Sequence, residues 1–189
     1  LNGWLNLDSP NYDITRPLPW KDSSVDAFYL EHVIDKVTPP EACRFFAEAF
    51  RCLKPGGILR LSFRDIRLMH GVISPAFKQY LKKRLREKPV PEHDLCILME
   101  AYRHQSLWNT GFLRYLLEEF GFHVSQHAPG ESRYLHLQCL ERRIDRDEHP
   151  FDLLGAVCLD AGKPKKSKSR KLPSLSSDSE QISPEYVTT

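Results

Sequence analysis

The chain has 189 residues, of which 41% are hydrophobic and 28% are charged, and its formal net charge is +2 at pH 7. These proportions are typical of a globular protein with one domain and a tail, and they exclude the collagen-like, wholly disordered and membrane-spanning classes. Because no apolar run approaches the roughly 20 residues that cross a bilayer, and no signal-peptide pattern is seen, we expect a cytoplasmic protein without a membrane partner.

The first predicted elements place two carboxylates at neighbouring strand ends. Residues 4–7 predict a short strand that ends at Asp8, and the Ser-Pro-Asn sequence at 9–11 predicts a turn. Residues 12–14 predict a second short extended segment, which contains Asp13.

The next segment predicts a strand followed by an amphipathic helix. Residues 25–30 predict a buried strand. Thr38 is the expected N-cap of the helix, and Glu41 completes a Thr-x-x-Glu capping box. Apolar residues then recur at helical spacing and form one stripe that can pack on a sheet. The stripe consists of Ala42, Phe45, Phe46, Ala49, Phe50 and Leu53.

A turn and a second strand complete a βαβ unit. Pro55, Gly56 and Gly57 end the helix, and residues 58–63 predict the strand. We expect the two glycines to be structural. A strand-helix-strand crossover gives parallel neighbours and is right-handed. The sequence therefore predicts an α/β fold with a Rossmann-like, doubly wound, mostly parallel sheet.

The second half predicts a cover, a further helix and two strands. Residues 66–109 are basic and mostly helical in pattern, so we expect an inserted helical cover. An amphipathic helix at 112–120 leads into a strand at 122–126, and an antiparallel last strand is expected at about 151–159. The domain thus covers 1–161, and the Lys- and Ser-rich residues 162–189 predict a disordered tail.

The five cysteines are odd in number, far apart and free of C-x-x-C spacing. We therefore expect buried free thiols, with no disulfide framework and no metal site. The five are Cys43, Cys52, Cys96, Cys139 and Cys158.

Asp8 is the first candidate for ligand binding. In open parallel sheets ligands bind at the carboxyl ends of the strands, and a carboxylate there can accept two hydrogen bonds from a ribose diol. Taken alone, Asp8 is more simply read as the cap of a turn with Ser9.

The ordered set of segments is more specific than any one residue. The set comprises Gly-Trp-Leu-Asn-Leu-Asp at 3–8, Tyr-Asp-Ile-Thr-Arg-Pro-Leu-Pro-Trp at 12–20, Ser-Val-Asp-Ala-Phe-Tyr-Leu-Glu-His at 24–32, Leu-Lys-Pro-Gly-Gly-Ile-Leu-Arg at 53–60 and Leu-Leu-Glu-Glu-Phe-Gly-Phe at 116–122. Together they resemble the class I S-adenosylmethionine-dependent methyltransferases, and within them the methyltransferase type 11 group. The match spans residues 3–159.

The resemblance implies roles for individual residues toward S-adenosylmethionine. Asp8 would bind the ribose hydroxyls, and Asp13 would accept from the adenine amino group while Ile14 packs on the ring. The strand residues beside the methionine end of the cofactor would be Tyr29, Leu30 and Glu31.

The resemblance also implies a catalytic candidate. His32 could orient or deprotonate the acceptor at the mouth of the pocket, since a neutral imidazole accepts a proton near pH 7. It could equally be a packing residue. His104 is a second candidate, because related sequences often carry a histidine before the later helix.

One family feature is absent from these residues: the first strand with its Gly-rich loop. We expect the sequence to be a fragment of a longer gene product, with a degenerate domain as the other reading. The expected function is methyl transfer to an unidentified small-molecule acceptor, with no specific nucleic acid partner. The alternative is a catalytically inactive methyltransferase-like scaffold that binds a partner through the cover and through residues 165–171.

Overall fold

A computed structural model describes residues 4–5, 12–69, 103–141 and 156–165. Within these ranges the chain forms four strands and three α-helices. The strands are β1 (Val25–Glu31), β2 (Leu53–Arg64), β3 (His123–His127) and β4 (Ala156–Gly162), and the helices are α1 (Pro39–Cys52), α2 (Ile66–Met69) and α3 (Thr110–Glu119). Short 3-10 turns lie at Ile34–Lys36 and Leu135–Leu137.

The four strands form one mixed sheet in the order β1-β2-β4-β3. β1 and β2 are parallel, whereas β4 is antiparallel to both of its neighbours. β3 therefore runs in the same direction as β1 and β2. The predicted Rossmann-like α/β class, with a mostly parallel sheet and an antiparallel last strand, is confirmed.

Helix α1 begins as its sequence predicts. The Glu41 carboxylate accepts hydrogen bonds from the Thr38 N–H at 2.8 Å and from the Thr38 hydroxyl at 2.7 Å. The apolar stripe packs on the sheet and forms the main core with Leu59, Leu61 and Phe63 of β2. The alternate residues of β2 point to the opposite face of the sheet.

Gly56 and Gly57 lie inside β2, at a bulge where the register with β1 shifts, and not in a turn before the strand as predicted. This bulge, here called the glycine turn, has a structural role. Gly56 has a φ of +86°, which favours glycine, and a Cβ on Gly57 would lie 2.9 Å from the Lys54 carbonyl oxygen and 3.0 Å from that of Asp26. The same turn hydrogen-bonds to Lys163 through the N–H of Gly56 and the carbonyl of Gly57, each at 2.8 Å.

The last strand ends later than predicted. It is described from Ala156 to Gly162, three residues past the predicted end at about 159, and residues 151–155 lie outside the described ranges. Lys163 continues the contact with the Gly56-Gly57 turn, and its ammonium donates to the carbonyls of Phe50 and Leu53, each at 2.7 Å. Gly162 and Lys163 take part in backbone pairing and helix capping, which do not require large apolar side chains. The composition of this segment therefore resembles that of a disordered tail.

Other predictions are met in part. The third strand lies one residue later than predicted, at His123–His127, and α3 starts earlier, with Asn109 accepting from the Phe112 N–H at 3.0 Å. Of the predicted helical cover, only Ile66–Met69 is helical among the described residues, because 103–109 form turns and a bridge to Asp65. Residues 70–102 lie outside the described ranges.

Two predictions from composition concern the burial of the cysteines and the presence of membrane-spanning helices. Cys52 and Cys158 are buried free thiols and Cys43 is half-buried, but Cys139, just after the 3-10 turn at Leu135–Leu137, is exposed, so for it the prediction of burial was wrong. Cys96 lies outside the described residues. Among the described residues, no helix has both the length and the apolar character that crossing a membrane requires.

Candidate functional site

The ends of β1 and β2 form one polar edge of the sheet, which we call the carboxyl edge. Because the strands are parallel, Glu31 at the end of β1 lies beside Ser62 of β2, and the chain continues through Arg64 and Asp65 at the same edge. The His32 N–H donates to the Ser62 carbonyl at 2.8 Å, and His32 has a φ of +52°. The chain therefore turns sharply as it leaves the sheet at this histidine.

Residues 105–108, here called the covering segment, pack over the turn that follows β1. The Ile34 carbonyl accepts from the Ser106 hydroxyl and from the Trp108 indole N–H, both at 3.2 Å. The Asp35 carbonyl accepts from the Gln105 N–H at 2.8 Å, and the Lys36 carbonyl accepts from the Gln105 side chain at 2.6 Å. Three consecutive carbonyls are thus held by one segment, which fixes the turn in place.

Asp65 connects the end of β2 to helix α3. One carboxylate oxygen accepts from the N–H at 2.8 Å and from the hydroxyl of Thr110, and the other accepts from the Arg67 N–H at 2.8 Å. Although burial acts to raise the pKa of Asp65, these hydrogen bonds hold it below its usual value. Both oxygens are occupied, so the role of Asp65 is to anchor the edge.

Asp35 differs from Asp65 in its surroundings. Its residue is only 2% exposed, and its Oδ2 has no hydrogen-bond partner among the described residues. Burial raises the pKa of Asp35 to about 6, against the charges of Arg64 and Lys36, which act to lower it. By the resemblance, Asp35 and Lys36 stand where related sequences often have Glu-His, and no catalytic role is carried over to Asp35 from the sequence.

His104 lies directly before the covering segment and reaches the same edge. Burial lowers the pKa of His104 to about 4, and the charges of Lys36 and Arg64 add to the effect. The imidazole is therefore neutral at physiological pH. The structure thus brings His32 and His104, both candidates from the sequence, to the carboxyl edge beside Asp35.

The candidates for the adenosine end are only partly described. Asp8 lies outside the described residues. Asp13 is exposed, and its Oδ1 accepts from the Thr15 N–H at 2.9 Å and from the Thr15 hydroxyl at 2.7 Å, which together lower its pKa. Its charge acts on Glu41 at the start of α1, and Ile14 is half-buried against the main core. Asp13 therefore lies near the end of the molecule where β1 finishes.

The candidates on β1 divide between the two faces of the sheet. The side chain of Leu30 is buried in the main core, so a ligand could contact Leu30 only through its backbone. Tyr29 and Glu31 point to the opposite face. Burial raises the pKa of Tyr29, and the charges of Glu31 and Glu141 add to the effect.

The face that carries Tyr29 also holds a buried ionic cluster that the sequence did not reveal. Arg60 is fully buried and donates to Glu141 at 2.7 Å, to Asp160 at 2.6 Å and to the Glu131 carbonyl at 2.8 Å. Asp160 also accepts from the Ser132 hydroxyl at 2.6 Å. These bonds hold residues 130–141 against the sheet.

Comparisons with known proteins support the fold. The family described as a methyltransferase domain matches residues 7–61. One similar structure is a Haloferax volcanii complex between the Trm112 methyltransferase activator and a protein assigned as a methyltransferase. A chain of that complex aligns with this chain at a TM-score of 0.50 and 15% identity. The alignment covers 86% of this chain and 66% of that one. The predicted resemblance to class I methyltransferases is confirmed, and the chain has a class I methyltransferase-like fold.

Other solved structures are similar at lower scores. A SAM-dependent methyltransferase from Archaeoglobus fulgidus has 14% identity and a TM-score of 0.47, covering 81% of this chain and 66% of that one. Phosphoethanolamine N-methyltransferase 2 from Haemonchus contortus, in complex with S-adenosyl-L-methionine, has 14% identity and a TM-score of 0.45, covering 82% and 36%. The chain therefore spans at most 66% of the length of these three structures. No curated protein matches the chain.

Proposed function

We propose that this class I methyltransferase-like chain takes part in methyl transfer from S-adenosylmethionine to a small-molecule acceptor. The observation that carries the proposal is the position of β4, which runs antiparallel between β2 and β3 in an otherwise parallel sheet. The methyltransferase-domain match over residues 7–61 supports it, since that range includes β1, α1 and most of β2.

The described residues fit an adenosine-containing ligand at the carboxyl edge. The Asp13 side chain is half exposed, with one oxygen bonded to Thr15 and the other 3.6 Å from Arg16, so it retains capacity to accept from an amino group. Ile14 offers an apolar side chain beside it. We propose that these two residues, with Asp8, hold the adenosine part.

The methionine end would then lie along the end of β1. We propose that Tyr29, Leu30 and Glu31 line it, with Leu30 contributing its backbone because its side chain is in the core. His32 follows at the turn and would contact the acceptor. Transfer between aligned groups in a water-excluded site needs little covalent help from the protein, so positioning is the main task of these residues.

Calorimetric titration of S-adenosylmethionine into the full chain tests the proposal. We expect binding by the wild type. We expect Asp13→Ala to weaken binding, because it removes one partner of a ligand hydrogen bond. Asp26→Ala is the matched control, because Asp26 is an exposed carboxylate near the start of β1, at the opposite end from the carboxyl edge, and is paired with Lys54 at 2.8 Å. Absence of binding by the wild type would refute the proposal for this chain.

The alternative of an inactive scaffold depends on residues 66–109 and 165–171. Most of these lie outside the described residues. No feature of the described residues favours that alternative, so methyl transfer is the function that the geometry supports best.

A further inference from the structure

We propose that Asp35 takes up the proton that the methylated substrate loses. The site would then suit a neutral nucleophile that must lose a proton, such as a hydroxyl. The inference rests on the proposed methyl transfer and deepens it by naming the chemical class of the acceptor. It adds Asp35 to the candidates His32 and His104.

The first support is position. Asp35 lies in the turn directly after β1, at the edge of the sheet where a ligand of a parallel sheet binds. Hydrogen bonds from the covering segment to the carbonyls of residues 34–36 fix this turn. A group held in this way keeps a constant position relative to a bound acceptor.

The second support is the unpartnered carboxyl oxygen. At Asp65 both oxygens accept hydrogen bonds, and at Asp160 both oxygens also have donors, from Arg60 and Ser132. At Asp35 the buried Oδ2 has none among the described residues. A buried polar atom without a partner is costly, and such exceptions concentrate where a ligand completes the bonding.

The third support is electrostatic. The charged groups that act on Asp35 are Arg64 from β2 and Lys36 from its own turn, while His104, directly before the covering segment, is neutral. Burial outweighs the two cations and raises the pKa of Asp35 to about 6. The carboxylate is thus ionised at neutral pH, yet it is a stronger base than an ordinary aspartate and suits proton transfer.

The step balances without a further reagent. A lone pair of the acceptor oxygen forms the new bond to the methyl carbon, and the carbon–sulfur bond of the sulfonium breaks with its electron pair remaining on sulfur. The hydroxyl proton passes to Asp35 Oδ2 and then to solvent. The products are a methyl ether and a neutral thioether.

The test compares two small probes of similar size on the full chain. Phenol must lose a proton when it is methylated on oxygen, whereas pyridine attacks through a nitrogen that carries no proton. Transfer from radiolabelled S-adenosylmethionine is measured for the wild type, Asp35→Asn and the control Asp26→Asn. We expect Asp35→Asn to slow methylation of phenol by about 100-fold or more, the range for a lost general base, and to leave that of pyridine nearly unchanged.

The wild type alone gives a second measurement that does not depend on the folding of a variant. We expect the rate with phenol to rise through about pH 6, where Asp35 ionises, and then to level off. A rate that keeps rising in proportion to the phenolate in solution would overturn the inference.

The remaining outcomes separate the inference from the proposed function. Equal losses with both probes would mean that Asp35 only positions other groups, and would overturn the inference. Binding of S-adenosylmethionine without transfer to phenol would overturn it as well. A wild type that binds no S-adenosylmethionine would instead refute the proposed function, and the inference with it.

Discussion

Lys163 shows how a single side chain joins the end of the sheet to the end of a helix. Its ammonium donates to the carbonyls of Phe50 and Leu53 in the last turn of α1 and at its C-cap, and it lies 4.9 Å from the centre of the Phe50 ring. A cation at this place satisfies carbonyls that the helix leaves unpaired and complements the helix dipole.

We therefore expect Lys163→Met to lower the free energy of unfolding by about 1–3 kcal/mol, because it leaves two carbonyls without a donor. Urea denaturation measures the change. Lys21→Met, at an exposed lysine, is the matched control and should change stability by less than about 0.5 kcal/mol. An equal effect of the two variants would show that the bonds of Lys163 contribute nothing to stability.

Residues at the carboxyl edge differ in how far the sequence could predict them. His32 is a candidate through the resemblance to class I methyltransferases, which its contiguous segment at 24–32 helps to carry. The burial of Asp35 has no such local signal, because it depends on Ser106 and Trp108, about seventy residues later in the chain. The polar character of an aspartate in a short turn normally indicates exposure, and only the packing of the covering segment reverses that expectation.

At the scale of elements, the Arg60 cluster replaces apolar packing on the second face of the sheet. Arg60 pairs with Glu141 and Asp160, and all three are buried. Such a cluster stabilises the fold only while every charge has a partner, since a lone buried charge is strongly unfavourable.

We expect Arg60→Met to lower the free energy of unfolding by about 3–5 kcal/mol, because it strands two buried carboxylates. The triple variant Arg60→Met, Glu141→Gln, Asp160→Asn should recover part of that loss, since no buried charge remains. Arg44→Met, on the exposed face of α1, is the control for loss of an arginine. A triple variant that is less stable than Arg60→Met would contradict this account.

The elements that the sequence predicted well are those with local signals. Helix α1 has a capping box and a stripe at helical spacing, and the glycine turn after it marks its end. The Arg60 pairings join residues 81 and 100 positions apart, and nothing in the local pattern of β2 indicates them. The end of β4 was missed for a similar reason, because Gly162 and Lys163 are held by the distant Gly56-Gly57 turn.

At the scale of the whole molecule, the order β1-β2-β4-β3 separates two regions of different character. The main core lies between the sheet and helices α1 and α3, and it is apolar. The carboxyl edge and the second face hold the buried ionisable groups. Stability should therefore depend on pH mainly through those groups, while the apolar core is indifferent to it.

Two groups at the carboxyl edge should affect that dependence with opposite sign. Asp35 has a folded pKa of about 6, above the ordinary value of about 3.9, so the folded state binds its proton more tightly and stability falls as pH rises from about 4 to 6. His104 has a folded pKa of about 4, below the ordinary value of about 6.5, so stability rises as pH rises from about 4 to 6.5.

Urea denaturation of single and double variants separates the two effects. Relative to wild type, the stability of Asp35→Asn should increase as pH rises from about 4 to 6, because the variant lacks the carboxyl that opposes folding when ionised. The relative stability of His104→Asn should decrease over about pH 4 to 6.5, because the wild type gains from a histidine that no longer has to be kept neutral. In the double variant the two trends should largely cancel. Trends of the same sign in both single variants would show that these groups do not occupy the environments described.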